Sequence, residues 1–167
     1  MEENPEIRVR RARPSDADCI AEFINRAQGK AISVSAGDVR GRFGVIGFLL
    51  TERDGEIVGF LGWRVENLVA RVTDFLVWPA KERLVAGRAM VNEMEQAARE
   101  LQCEVALLYL PREVTPQLLA YWEAFGYESK KVESLPKAWR EAAQEVRSLS
   151  EWVVVKQIRE DMISRPL

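Results

Sequence analysis

The sequence predicts a mixed α+β fold, an α/β mixed sheet holding both antiparallel and parallel strands with helices packed against it. Three observations carry this expectation. Residues 47–52 and 56–65 are β-rich runs joined by Arg53-Asp54-Gly55, and Asp-Gly between such runs is a strong signal for a tight antiparallel hairpin. The apolar run Phe75-Leu76-Val77-Trp78 and the later run EVALLYL at 104–110 flank an amphipathic stretch; a strand–helix–strand crossover of this kind sets its two strands parallel. Taken whole, the chain reads β-α-α-β-β-β-α-β-α-β-(α)-β. With 167 residues, it has the length of one globular domain, 1–167, with a substantial core.

Each element has a local cause. Ile7 and Val9 alternate with Arg8 and Arg10, so residues near 6–12 form a first strand with a basic face, and charges of that kind mostly keep an edge strand soluble. Pro14-Ser15-Asp16 supplies helix-start chemistry, and Cys19, Ile20, Phe23, Ile24 and Ala27 form the apolar stripe of a helix ending near Gly29. Residues 35–43 read as a second, short helix, weakened by Gly37 and Gly41. After the hairpin, Asn67-Leu68 marks a further turn into a strand over 70–78 that Pro79 terminates. Its apolar end reads as buried on both faces. Residues 80–87 form a short connection, and Ala89, Met90, Val91, Met94, Ala97, Ala98 and Leu101 mark one face of the following helix.

After the parallel strand at 104–110, Thr115-Pro116 is an N-cap followed by proline at the first helical position, and Gly126 stops that helix. Residues 127–132 read as a sixth strand and 151–158 as the last. Between them, 135–148 forms an amphipathic helix with Trp139, Ala142, Ala143 and Val146 on one side. Residues 1–5 and 162–167 are expected to fray.

Composition narrows the function. A net charge of −2 and a sequence pI near 5.5 lack the basic excess of a protein that grips nucleic acid. No apolar run reaches the ~20 residues that span a bilayer, and the acidic opening MEENPE is unlike a signal peptide, so the expected setting is cytoplasmic, without membrane or nucleic-acid partners. Cys19 and Cys103 are isolated and lack metal-ligand spacing; they read as buried free thiols, with no metal site. The absence of histidine excludes Ser-His or Cys-His nucleophile pairs and His-ligated zinc. Proton transfer must then use a carboxylate, Tyr, Lys, Cys or water.

The 70–91 stretch is where a ligand is expected. A strand passing through a tight connection into a helix aims unpaired N–H groups and the positive end of the helix dipole at the mouth of the sheet, where a pyrophosphate can sit.

The element order, the opening IRVRRARPSDADCIAEFI, the run VWPAKERLVAGRAMV and the run TPQLLAYWEAFGYE together resemble the GNAT acyltransferase superfamily over nearly the whole chain. The exception is 135–148, which reads as an inserted helix. The resemblance implies the GNAT-like acyl-CoA N-acyltransferase fold, with acetyl-CoA as co-substrate in a cleft between the fourth and fifth strands. It also implies cofactor contacts at Val77, Trp78, Arg83, Val85, Ala86, Gly87, Arg88, Thr115 and Trp122. Where the family loop has Gln/Arg-x-x-Gly-x-Gly/Ala, this chain has Glu82 at the Arg/Gln position and Val85 at the first glycine, keeping only Gly87. Trp122 replaces the family's frequent tyrosine, with Tyr121 adjacent but ~100° away around the helix.

For chemistry, Asp74 is the candidate base, as a carboxylate facing the cleft, with Glu66 a weaker alternative, and Tyr121 is the candidate acid. Trp139, on the inserted helix, marks an element expected to overhang the acceptor side as a lid. Two functions follow. One is an acetyl-CoA-dependent N-acetyltransferase acting on a primary amine, small molecule or peptide, by direct attack in a ternary complex. The other is a catalytically inactive GNAT-like domain serving as a CoA-sensing or protein-interaction module. The acceptor is not readable from the residues, and a homodimer through an exposed strand or the 135–148 helix is left open.

Overall fold

The computed structural model describes residues 7–29, 33–144 and 151–160. The strands are β1 (Ile7–Arg11), β2 (Gly47–Arg53), β3 (Glu56–Glu66), β4 (Val69–Val77), β5 (Val105–Tyr109), β6 (Glu128–Lys131) and β7 (Trp152–Gln157). The helices are α1 (Ala17–Gln28), α2 (Ala36–Arg40), α3 (Arg83–Glu100), α4 (Pro116–Glu123) and α5 (Lys137–Gln144). The strands form a seven-stranded sheet in the order β1-β2-β3-β4-β5-β7-β6, so the expected mixed α+β fold is observed. β1–β2, β2–β3, β5–β7 and β6–β7 are antiparallel, and β4–β5 is parallel as the crossover required. The expected fraying at 1–5 and 162–167, and the end of the helix expected to reach 148, lie outside the described residues. No helix among the described residues is long and apolar enough to cross a membrane.

Both predicted turns have the backbone that tight hairpins need, with two successive residues at positive φ: Asp54 (53°) and Gly55 (81°), then Asn67 (50°) and Leu68 (62°). Asp, Asn and Gly tolerate this conformation; Leu68 adopts it against its side-chain preference.

The chain divides into two compact units, Met1–Arg64 with Thr73–Met94, and Val65–Val72 with Glu95–Leu167. In the first, α1 buries Ile20, Phe23 and Ile24 against Val39, Phe48, Leu50 and Phe60, the stripe that the sequence spacing marked. Cys19 falls outside that stripe and is exposed, correcting the expectation of a buried thiol; Cys103 is buried as expected. β1 lies at one end of the strand order, where its arginines are placed as on an edge strand.

In the second unit, Trp139, Ala142 and Ala143 of α5, with Leu135 just before it, are buried against Val69, Val105, Leu107, Val153 and Val155. Two carbonyls of α5 are bonded from the strands: Arg71 Nη1 donates to Ala142 O (2.9 Å) and the Tyr109 hydroxyl donates to Ala143 O. Trp139 is only 6% exposed, so α5 is a packed layer on the sheet and not the overhanging lid expected. The same unit buries Glu95, which accepts from Tyr127 Oη (2.9 Å) and Lys156 Nζ (2.8 Å). Burial and the Glu95 carboxylate push the Tyr127 hydroxyl well above its ordinary pKa.

Candidate active site

The first half of the site is one continuous stretch of the first unit: the end of β4, Trp78-Pro79, a 3-10 turn at Ala80–Glu82, and the opening of α3. Val69–Val72 of β4 are buried, while Thr73–Val77 are half-buried. The doubly buried segment is therefore the earlier one, where expectation had placed it at Phe75–Trp78. The parallel pairs with β5 stop at Val72↔Leu108, and β4 runs on to Val77 beyond them. The Trp78 N–H donates to Val58 O (3.0 Å), on the β3 side. Because successive strand amides point to opposite edges, the Val77 N–H is aimed at the other edge, past the end of the parallel ladder. Of the two residues expected to offer a donor, Val77 has the direction and Trp78 is committed. The Trp78 ring instead meets the Arg26 guanidinium at 5.2 Å, and its peptide bond to Pro79 is cis.

α3 opens earlier than expected. No glycine or proline interrupts 80–86, so helical structure begins at Arg83, directly after a turn closed by Glu82 N–H to Pro79 O (3.0 Å). Gly87 and Arg88 consequently sit one turn inside the helix, where their amides belong to the i to i−4 ladder. Ala86 and Gly87 face inward with Met90 and Val91, while Arg83, Leu84, Val85 and Arg88 are exposed. The amides and dipole end available to an anion are those of the first turn, at Leu84 and Val85. Val85 is 56% exposed, so its side chain is not part of the packed core.

Glu82 raised the clearest electrostatic objection in the sequence, a carboxylate beside an anion site. The structure turns it inward, only 6% exposed, onto Arg53. Arg53 Nε donates to both carboxylate oxygens (2.9 and 3.1 Å) and Nη2 donates to Oε2 (3.0 Å). Sequence reasoning missed Arg53 because it sits 29 residues away at the end of β2.

Asp74 lies on the half-buried part of β4. Arg42 grips its carboxylate end-on, Nη1 to Oδ1 at 3.0 Å and Nη2 to Oδ2, and Thr73 Oγ1 donates to Oδ2 (2.7 Å). Gly62 makes the space: a Cβ there would stand 2.4 Å from Asp74 Oδ2 and 3.0 Å from Phe48 Cε1. Asp74 is thus a held anion whose lone pairs are largely occupied, and Arg42 is a site residue that sequence reasoning missed.

The second unit carries the remaining candidates on α4. The Thr115 side chain caps the helix by accepting from Leu118 N–H (3.1 Å), as its position before Pro116 predicts. Trp122 is 2% exposed, edge-on to Phe125 and Tyr127 at 5.8 and 5.2 Å. The cofactor contact expected of it is therefore corrected: an indole on the inner face of α4 packs the core. Tyr121, half-buried, stacks edge-on against Phe125 at 4.7 Å. Among the described residues no group of His, Cys, Asp or Glu is arranged to hold a metal ion.

Solved structures share this architecture. A GNAT-family acetyltransferase from Staphylococcus aureus Mu50 superposes with a TM-score of 0.70 at 15% identity, covering 92% of this chain and 100% of that one. The ribosomal-protein-S18-alanine N-acetyltransferase from Escherichia coli gives 0.68 at 14% identity, covering 97% and 100%. The YncA structure from Salmonella typhimurium, described as a putative acetyltransferase with its cofactor acetyl-CoA, gives 0.67 at 15% identity, covering 98% and 100%. At such identities the likeness shows the fold. No curated protein sequence matches the chain. The sequence model of the Acetyltransferase (GNAT) family, however, matches residues 20–127, most of the chain, and the protein belongs to that family.

Proposed function

We propose that this protein transfers an acetyl group from acetyl-CoA to a primary amine by direct attack within a ternary complex. The observation that carries the reading is the inward turn of Glu82 onto Arg53. It leaves the opening of α3 with its dipole and first-turn amides and without a facing carboxylate, a corner that fits a diphosphate. Acetyl-CoA-bound YncA supports the choice of co-substrate.

In this reading the diphosphate rests on the first turn of α3 at the Leu84 and Val85 amides, with Ala86 and Gly87 packed behind that turn and Arg83 and Arg88 adding positive charge from the exposed side. The Val77 N–H polarises the thioester carbonyl. The amine nitrogen attacks that carbonyl carbon, the carbon–sulfur bond breaks, the nitrogen gives up a proton and the departing thiolate gains one. Asp74 serves the nitrogen's proton through water and Tyr121 serves the sulfur. The two free thiols fit a cytoplasmic setting.

Thermal unfolding with acetyl-CoA tests the binding half. At ~100-fold over Kd the ligand adds about 2.7 kcal/mol of stability, and a flat response at millimolar ligand overturns the proposal. Release of CoA thiol in the presence of amines tests the chemistry. Tight binding without turnover on any amine would favour the CoA-sensing module instead.

A further inference from the structure

We propose that Arg42 selects the acceptor by binding a carboxylate carried beside its amine, so that the substrate class is a free amino acid or a peptide with a carboxylate near the reacting nitrogen. The inference rests on the acetyltransferase reading above. It begins from how differently the arginines of the first unit are used. Arg53 spends its fork on the buried Glu82, and Arg10 is enclosed by Glu52 and Asp16. Arg42 is held on one edge only, by Asp74, and its side chain is 38% exposed. The rest of its N–H fork meets no hydrogen-bond partner among the described residues.

The support beneath that guanidinium is built in three parts. Thr73 orients the Asp74 carboxylate, Gly62 opens the space it occupies, and the Phe48 ring lies 5.2 Å beneath the Arg42 carbon. A charged group fixed from behind and open in front loses little freedom on binding an anion, which is the arrangement a recognition site needs.

Its place matches the acceptor. Side chains alternate along a strand, so Asp74, Leu76 and Trp78 share one face of β4. Leu76 packs into the α1–α2 core and Trp78 meets Arg26 of α1, which puts the Asp74–Arg42 pair on the α1–α2 side of the strand's half-exposed end. Asp74 lies three residues before Val77, ~10 Å along the strand at ~3.3 Å per residue. An acceptor whose amine is poised at the Val77 amide could thus direct its own carboxylate toward the guanidinium that Asp74 holds. The planar fork matches carboxylate geometry, and the neighbouring Asp74 charge disfavours a dianionic phosphate more than a monoanion.

The test compares acceptors on the wild-type protein with saturating acetyl-CoA: L-amino acids against their α-carboxamides, with spermidine and phosphoethanolamine alongside. We expect kcat/KM at least ~10-fold higher for free acids than for amides. Arg42→Gln should raise KM for the acids ~10-fold or more and erase the acid–amide preference, whatever change in kcat the loosened Asp74 brings to acids and amides alike; Arg42→Lys should restore part of the preference. Equal turnover of acids and amides, preference for spermidine or phosphoethanolamine, or turnover of none of these while acetyl-CoA still raises the melting temperature, each overturns the proposal. So does an unchanged preference in Arg42→Gln. The wild-type comparison decides the matter even if that variant does not fold. Absence of any acetyl-CoA shift is a different failure and removes the acetyltransferase reading itself.

Discussion

Replacing Glu82 by Gln separates two electrostatic pictures of the α3 corner. If the carboxylate faced a bound diphosphate at ~4 Å, Coulomb repulsion at an effective dielectric of ~20 would be about 4 kcal/mol, and neutralising it would tighten acetyl-CoA binding roughly a thousandfold. The structure instead buries Glu82 in three hydrogen bonds from Arg53. Glu82→Gln then acts on the ligand only by uncovering the Arg53 charge; at ~10 Å in water this is worth about 0.4 kcal/mol, or roughly twofold. The larger effect falls on folding. Removing one charge of a buried pair costs about 3–5 kcal/mol; with the Arg53 side chain 22% exposed we expect the low end, about 3 kcal/mol. For a chain of this size that lowers Tm by about 6–12 °C. Urea unfolding measures the first quantity and isothermal titration with acetyl-CoA the second. A variant that is fully stable and binds acetyl-CoA tens of times more tightly would show that Glu82 faces the ligand, and would refute the reasoning.

Other outcomes follow from single contacts. Gly62→Ala places a Cβ 2.4 Å from Asp74 Oδ2 and 2.8 Å from Thr73 Oγ1; we expect a loss of about 1–3 kcal/mol in urea unfolding, and a wild-type midpoint would show that the Asp74 support gives way freely. Thr115→Ala removes the α4 cap and should cost about 1 kcal/mol, with Thr115→Ser close to wild type, read from the same unfolding curves. Hydrogen bonds from Arg10 hold the Asp16 carboxyl below its ordinary pKa. Its stabilisation is therefore present above the unfolded value of about 3.9 and is lost as pH falls through the folded one. Asp16→Asn should flatten the acid limb of the stability profile below about pH 4. Burial pushes the Cys103 thiol up to about 11 while Cys19 is exposed, so a thiol reagent at pH 8 should label Cys19 alone in the native protein. Rapid labelling of both would contradict the packing.

What the sequence determined by itself is whatever local pattern controls. The Asp54-Gly55 hairpin, the capped start at Thr115-Pro116, the crossover that makes β4 and β5 parallel and the succession of seven strands along the chain were legible, because turn chemistry and apolar period act within a few residues; that β7 inserts between β5 and β6 was not. The family resemblance was legible for the same reason, in runs of adjacent residues. Tertiary structure alone decided which way side chains turn once distant segments meet. Glu82 looked like a misplaced charge until Arg53, 29 residues before it, was folded alongside. Asp74 read as a carboxylate facing the cleft until Arg42 was brought to it across 32 residues. Trp122 was a candidate cofactor contact and Trp139 the mark of a lid until core packing enclosed them. The start of α3, four residues before Gly87, was hidden by a loop motif that suggested glycine-led geometry where the chain is simply helical. Charge pairing and burial depend on three-dimensional neighbours that no one-dimensional spacing encodes, which is why the scaffold could be read in advance and the electrostatics of its corner could not.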